Sequence, residues 1–198
     1  MAALALAPVT RQVSGRTAAA RDPSGPEYPQ PLAAAVAELP VLDAFGRRVP
    51  FGELFRERRA IVVFVRHFLC YTCKEYVEDL AKIPKSLLQE ANVTLTVIGQ
   101  SSYHHIEPFC KLTGYCHEIY VDPERKIYER LGMKRGEEII SSGDPVQQGG
   151  TLILGPGHYI HFIHRDRNRL DHKPINSVLQ LVGVQHVDFT SRPPVIHV

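Results

Sequence analysis

The stretch Ala60-Ile61-Val62-Val63-Phe64-Val65, followed by Arg66-His67-Phe68-Leu69-Cys70-Tyr71-Thr72-Cys73-Lys74, decides the fold. Its first six residues are a continuous β-branched and aromatic run, which predicts a strand buried on both faces. From Thr72 to Leu88 apolar residues recur every three or four positions, which predicts an amphipathic helix. Pro84 lies inside that stripe and predicts a kink there. A buried strand that leads directly into a helix is typical of an α/β protein.

The rest of the chain continues this alternation. Glycines and prolines separate a strand, a helix, a short strand, a helix that Asp122 caps with Pro123 in its first turn, a hairpin and a last helix. The predicted ranges are 93–98, 103–112, 119–121, 122–131, 151–154 with 159–164, and 174–184. This order predicts a mixed sheet with helices on both faces.

The two ends of the chain differ from its middle. Residues 1–31 contain five prolines and almost no large apolar side chains. Such a segment buries too little surface to offset its ordering entropy, so we expect a disordered N-terminal tail. The domain is expected to span residues 32–184, and residues 185–198 form a C-terminal extension.

Composition excludes several classes of protein. A net charge of +2 on 198 residues is too small to indicate nucleic acid as the main partner. No apolar run approaches the ~20 residues of a transmembrane helix. Four cysteines, two of them three positions apart, do not form a secreted disulfide scaffold. These features favour a cytoplasmic protein. Three arginines precede the first acidic residue, Asp22, as in a mitochondrial presequence, but Pro8 and Gly15 break any helix there.

The candidate chemistry lies at the strand-to-helix junction, in the motif Cys70-x-x-Cys73. The first turn of a helix has unpaired N–H groups and the positive end of the helix dipole, which together stabilise a thiolate. Arg66, His67 and Lys74 add positive charge nearby. We therefore expect a lowered thiol pKa, and the three-residue spacing permits a reversible disulfide.

Other interpretations of the cysteines remain open at this point. Both could be core residues, because cysteine is among the most buried residue types. A structural disulfide is disfavoured in a reducing compartment. Zinc is a further alternative, with candidate ligands Cys70, Cys73, Cys110, Cys116 and His117, although the Cys-x5-Cys spacing is not usual.

Cys110 and the histidines have simpler interpretations. Cys110 shares a helical face with apolar residues, which favours packing over a resolving role, and Cys116 follows a turn and is expected to be exposed. His158, His161 and His164 are three apart on a predicted strand, so they alternate between faces and cannot form one metal site. We expect no bound metal.

These residues together resemble a known family. The buried strand, the Cys70-Tyr71-Thr72-Cys73 turn, Val97-Ile98-Gly99-Gln100-Ser101-Ser102, Asp122-Pro123-Glu124 and the hairpin from Gly150 are similar to the thioredoxin-fold peroxiredoxins. The resemblance is strongest to the peroxiredoxin-like 2 group of AhpC/TSA antioxidant-domain proteins. It implies a thioredoxin-like fold, thiol redox activity on a small peroxide or a lipid endoperoxide, and thioredoxin or glutathione as reductant, with no bound cofactor.

The chain departs from the peroxiredoxin pattern in several places. On the signature Pro-x-x-x-Thr-x-x-Cys, Cys73 takes the peroxidatic position, Cys70 replaces the threonine and Arg66 replaces the proline. A thioredoxin-like pattern instead makes Cys70 the attacking thiol and Cys73 the resolving one. The usual arginine before the later strand is missing, and Arg66 is expected to substitute for it. The link between Gly132 and Gly150 is also shorter than the resemblance implies.

Two functions follow as expectations. The first is a thiol oxidoreductase in which Cys70 and Cys73 carry a dithiol/disulfide cycle, with Arg66, His67, Thr72 and Lys74 activating the thiol or orienting the substrate. The second is a weakly catalytic or non-catalytic module that binds or regulates in response to redox state. A zinc-stabilised adaptor is the least favoured.

Overall fold

The computed structural model describes residues 30–134 and 147–190. These residues form, in chain order, β1 (Gln30–Pro31), α1 (Ala34–Ala37), β2 (Pro40–Leu42), β3 (Arg48–Pro50), β4 (Arg59–Val65), α2 (Tyr71–Ala81), α3 (Lys85–Glu90), β5 (Val93–Gly99), α4 (Ile106–Thr113), β6 (Glu118–Val121), α5 (Lys126–Arg130), β7 (Gly150–Leu154), β8 (Tyr159–Arg165) and α6 (Ile175–Leu181). Short 3₁₀ turns cover Phe51–Phe55 and Tyr103–His105.

The strands of the described residues form one mixed sheet in the order β1-β8-β7-β4-β5-β6-β2-β3. The parallel strands β4, β5 and β6 are neighbours, and β7 pairs antiparallel with β4. Val65 is level with Gly99 at the carboxyl ends of β4 and β5. The predicted α/β architecture, with a mixed sheet between helices, is confirmed.

Strand β4 is buried on both faces, as its sequence predicts. Ile61, Val63 and Val65 pack with α2, α4 and α6 on one face of the sheet. The alternate residues Val62 and Phe64 pack with the 3₁₀ turn Phe51–Phe55 and with α5 on the other. The motif that follows β4 therefore begins at the carboxyl end of a central strand that is packed on both faces.

Pro84 separates two helices instead of kinking one. Helix α2 ends at Ala81, and Pro84 is the residue before α3, so the missing N–H of proline falls where no helical hydrogen bond is needed. The prediction of one continuous helix was wrong.

The helix after β6 begins later than its sequence predicts. Helix α5 begins at Lys126, although Asp122 was expected to cap it directly. The Asp122 carboxylate still accepts from the N–H of Ile127 at 2.8 Å, and its own N–H donates to the Gly99 carbonyl at 3.0 Å. Asp122 thus fastens α5 to the end of β5.

The structure also describes residues on either side of the predicted domain. Gln30 and Pro31, assigned to the tail, pair with β8, while the predicted tail over residues 1–29 lies outside the described residues. In the C-terminal extension Val187 is buried and the Phe189 carbonyl accepts from Lys82 Nζ at 3.2 Å. Residues 135–146, in the short link, and 191–198 are also outside the described residues. None of the described helices is long and apolar enough to cross a bilayer.

Candidate active site

The two cysteines lie where β4 gives way to α2. Cys70 has an extended backbone (φ −79°, ψ 120°) and immediately precedes the helix. Its N–H donates to the His67 carbonyl at 3.1 Å, and its carbonyl accepts from the N–H of Lys74 at 2.9 Å, which is the first bond of the helix. The Cys70 sulfur therefore lies beside the positive end of the α2 dipole.

The loop between β4 and Cys70 is held by Phe68. Its ring stacks on Phe109 of α4 with centroids 4.4 Å apart. It also fills the space above Gly99, where an added Cβ would lie 2.4 Å from the ring. Phe68 is buried whereas its neighbour Leu69 is 84% exposed. The loop is therefore packed against the protein at Phe68 and exposed to solvent at Leu69.

The two sulfurs differ in exposure. Cys73 is completely buried, Cys70 is half-buried, and both are free thiols. The Thr72 hydroxyl lies 3.2 Å from the Cys70 sulfur, and the two thiols are close enough for each to shift the pKa of the other. The structure therefore brings together Cys70, Thr72 and Cys73, as predicted.

This environment separates the acidities of the two thiols. The hydrogen bond from Cys73 lowers the pKa of Cys70 to about 4; Thr72, the Cys73 N–H and the charge of Arg66 add to this effect, while burial opposes it. The bond to Cys70 raises the pKa of Cys73, and burial raises it further. The backbone N–H groups of Arg66 and His67 partly offset that rise in the pKa of Cys73. The environment therefore favours ionisation of Cys70 over ionisation of Cys73.

The charged residues of the motif have different roles. Arg66 is buried, its Nε donates to the Gln147 carbonyl at 3.2 Å, and its charge acts on Cys70. Lys74 was expected to add charge at the thiol, but its Nζ pairs with Glu78 at 2.6 Å one turn along α2. That i,i+4 ion pair directs the Lys74 ammonium toward Glu78. The backbone of His67 acts on both cysteines: its carbonyl accepts from the Cys70 N–H, and its N–H lowers the pKa of Cys73.

Among the described residues, Cys110, Cys116 and His164 have other surroundings. Cys110 is half-buried, with its pKa raised chiefly by burial, and Cys116 is exposed. His164 Nε2 lies 2.8 Å from the Asp171 carbonyl. The described residues contain no group of three or more His, Cys, Asp or Glu side chains arranged to hold a metal ion.

The sequence does not predict one residue that lies near the site. Tyr128 of α5 is fully buried, and its hydroxyl lies 2.6 Å from the Val65 carbonyl and 3.0 Å from that of Ile98. In the sequence it reads only as one apolar position of a helix. Tyr128 and Val65 are 63 positions apart in the chain, so no local sequence pattern predicts their contact.

The fold defines a thioredoxin-like protein of the peroxiredoxin type. A structure of peroxiredoxin Q from Xanthomonas campestris matches with a TM-score of 0.62 at 14% identity, over 77% of this chain and 94% of that one. The family described as "AhpC/TSA antioxidant enzyme" matches residues 79–143. This match begins beyond both cysteines, so it supports the scaffold and not the dithiol.

Relatives in sequence are much closer. Peroxiredoxin-like 2C of Bos taurus is 75% identical over 228 residues, covering 100% of both chains, and its counterpart in Takifugu rubripes is 42% identical over 99% of this chain and 100% of its own. The chain therefore belongs to the peroxiredoxin-like 2C family. The bovine alignment spans 228 positions against 198 residues here, so at least 30 positions have no counterpart in this chain. Prostamide/prostaglandin F synthase of Homo sapiens is 25% identical over 177 residues, covering 75% of this chain and 87% of its own.

Proposed function

We propose that this protein is a thiol oxidoreductase that reduces the O–O bond of peroxides or endoperoxides through Cys70 and Cys73. The observation that carries the proposal is the asymmetry of the pair: Cys70 is half-buried, lies 3.2 Å from the Thr72 hydroxyl and has a lowered pKa, whereas Cys73 is fully buried. Attack requires an accessible thiolate, and resolution requires a second thiol within reach. Cys70 meets the first requirement and Cys73 the second.

The proposed cycle has two steps. The Cys70 thiolate attacks one oxygen of the O–O bond; an S–O bond forms, the O–O bond breaks, and the departing oxygen takes a proton to leave as an alcohol or water. Cys73 then loses its proton and attacks the Cys70 sulfur. The S–S bond forms, the S–O bond breaks, and the second oxygen leaves as water or alcohol. The two thiols thus supply two electrons, and an external dithiol restores them.

The surface around Cys70 supports an apolar substrate and a protein reductant. Leu69 is 84% exposed and Tyr71 is 69% exposed, one on each side of the cysteine. Exposed apolar side chains beside a reactive group indicate a contact surface. We propose a lipid peroxide or endoperoxide as substrate and thioredoxin as reductant, with glutathione as the alternative reductant.

Arg66 provides the observation that favours a second candidate, a redox-sensitive regulatory module with slow turnover. Its Nε is bound to the Gln147 carbonyl, so part of its donor capacity is unavailable to a peroxide. Cys70 also replaces the threonine that peroxiredoxins carry in their signature. The same dithiol would then oxidise once and change what the protein binds.

All four cysteines of the chain are free thiols and lie in the described residues. Free thiols are usual where glutathione and thioredoxin keep cysteine reduced. We therefore propose the cytoplasm as the compartment in which the cycle operates.

An NADPH-coupled thioredoxin assay with hydrogen peroxide, a lipid hydroperoxide and an endoperoxide tests the first function. Steady turnover is expected for the wild type and for Cys116→Ser, the matched control on an exposed thiol. Cys70→Ser is expected to abolish turnover, and Cys73→Ser to allow at most the first oxidation. Oxidation of the pair without turnover on any substrate would favour the regulatory module. Thiols that stay reduced in every peroxide would contradict both functions.

A further inference from the structure

The segment 165–173, which joins β8 to α6, carries basic residues at the end of the sheet where the active site lies. We call it the basic segment; it contains Arg165, Arg167, Arg169 and Lys173 against two acids, Asp166 and Asp171. Arg165 is level with Gly150 of β7, which is level with Phe64 of β4. The basic segment therefore leaves the sheet at the same end as the loop that leads to Cys70.

The basic segment also contacts the helix that carries the cysteines. The His172 ring stacks on Tyr76 of α2 with centroids 4.7 Å apart, and the Tyr76 hydroxyl donates to the Lys173 carbonyl at 2.6 Å. Tyr76 lies four positions after Thr72, so the two side chains are neighbours on one helical face. The Thr72 hydroxyl in turn lies 3.2 Å from the Cys70 sulfur. This contact with α2 is therefore about one helical turn, ~5 Å along the axis, from the turn that follows Cys70.

Both acids of the basic segment are engaged within the protein. Asp166 is buried, its carboxylate lies 2.9 Å from His172 Nδ1, and its N–H donates to the Gly149 carbonyl at 3.1 Å. The Asp171 carboxylate accepts from the Arg167 N–H at 2.9 Å. The acids thus hold the backbone of the segment, and the positive charges are left for its outer surface.

Two arginines and a leucine form much of that outer surface. Arg167 and Arg169 are exposed, and within residues 30–134 and 147–190 neither guanidinium forms an ion pair. Leu170 beside them is 74% exposed. Unpaired surface charges attract a partner of opposite charge from about a Debye length away, ~10 Å at 0.1 M salt. A partner that approaches Cys70 therefore meets a positively charged surface beside the site.

We propose that the basic segment is the docking surface for a protein reductant whose own thiols are surrounded by acidic side chains. This inference rests on the proposed function, because it requires a Cys70–Cys73 disulfide that an external dithiol reduces. One thiolate of the reductant attacks that disulfide, and its second thiol then displaces the protein sulfur, so two electrons pass from one dithiol to the other.

A protein partner fits the basic segment better than a lipid surface does. With only two cations in excess of its acids, the segment falls below the clusters of about four to eight basic residues that bind anionic membranes. Exposed charges at the rim of an interface act mainly on the rate of association. The basic segment therefore speeds delivery of an acidic reductant and leaves the chemistry of the two cysteines unchanged.

Reduction of the preformed Cys70–Cys73 disulfide tests this docking surface. The oxidised protein, in a Cys110→Ser/Cys116→Ser background, is mixed with reduced thioredoxin or with dithiothreitol, and free thiols are counted by alkylation and mass spectrometry. Arg167→Glu/Arg169→Glu is expected to slow reduction by thioredoxin about tenfold at about 50 mM salt but only about twofold at about 0.5 M, because salt screens the attraction. Reduction by dithiothreitol, which is small and uncharged, is expected to keep its rate.

Arg58→Glu/Lys85→Glu is the matched control, because it changes the net charge equally at two exposed residues beside the start of β5. The seven residues of β4 place this end of the sheet ~20 Å from the active-site loop. The control is expected to keep the thioredoxin rate within about twofold. Should the reversed charges prevent folding, Arg167→Gln/Arg169→Gln is expected to slow reduction by thioredoxin about threefold.

An unchanged thioredoxin rate in the arginine variants, or equal slowing in the control or with dithiothreitol, would overturn the inference. A wild-type disulfide that dithiothreitol reduces and thioredoxin does not would also overturn it, with the oxidation of the pair intact. Loss of binding to phosphatidylserine vesicles without loss of the thioredoxin rate would assign the basic segment to a lipid surface instead. Peroxide-treated wild-type protein without a Cys70–Cys73 disulfide would refute the proposed function itself.

Discussion

The Thr72 hydroxyl lies 3.2 Å from the Cys70 sulfur, within the first turn of α2. With Cys70 ionised, this hydroxyl donates to the sulfur together with the Cys73 thiol and the Cys73 N–H. Charge-assisted hydrogen bonds are stronger than neutral ones, so three donors on one half-buried sulfur favour the thiolate strongly. The lowered pKa of Cys70 therefore comes largely from the residues that follow it in the helix.

The rate of Cys70 alkylation by iodoacetamide is expected to rise with pH about a midpoint near 4 and to be flat between pH 6 and 8, because the thiolate is the reactive form. Cys73→Ala removes the largest contribution and is expected to move the midpoint up by more than about one unit. The measurement is made by mass spectrometry on Cys110→Ser/Cys116→Ser protein. A midpoint near 8 in the unaltered pair would contradict this account of Cys70.

Thr72→Val is expected to raise the Cys70 midpoint by less than Cys73→Ala does, because Thr72 is a smaller contributor to the lowered pKa. The substitution keeps the shape of the side chain and removes only the hydroxyl. Thr72→Ser keeps the hydroxyl and serves as the control, with a wild-type midpoint expected in the same alkylation assay. Equal midpoints for the valine and serine variants would show that the contact does not tune the thiol.

Gly99→Ala is expected to destabilise the protein by about 1–3 kcal/mol, because the new Cβ would lie 2.4 Å from the Phe68 ring. Urea unfolding measures the loss. Phe68→Leu frees part of that space, so the alanine is expected to cost less in the Phe68→Leu background. Additive losses in the double variant would indicate that Phe68 does not occupy the space above Gly99.

Much of the fold follows from local sequence, but its edges do not. The apolar run of β4 predicts a strand buried on both faces, and the structure confirms it. Strands β2 and β3 have only three residues each, with Pro40 and Pro50 among them, so no alternation marks them. The start of α5 was misplaced because the Asp122 carboxylate reaches forward to Ile127 instead of capping the next residues.

The site shows the same division. The spacing of Cys70 and Cys73 at a strand-to-helix junction predicts a close pair, and the structure places them together. The sequence does not indicate that Lys74 pairs with Glu78 one turn along the helix, and its role at the thiol stays a prediction. The support from Tyr128 and Phe109 depends on contacts across the sheet and between helices, which only the fold creates.

The order of the two thiols is tested most directly by trapping the first oxidised sulfur. Cys70→Ser and Cys73→Ser variants are treated with one equivalent of peroxide in the presence of dimedone, and the adduct is located by mass spectrometry. The account predicts an adduct on Cys70 in Cys73→Ser and none on Cys73 in Cys70→Ser. An adduct on Cys73 with Cys70 unmodified would contradict it and would assign the first attack to the buried cysteine.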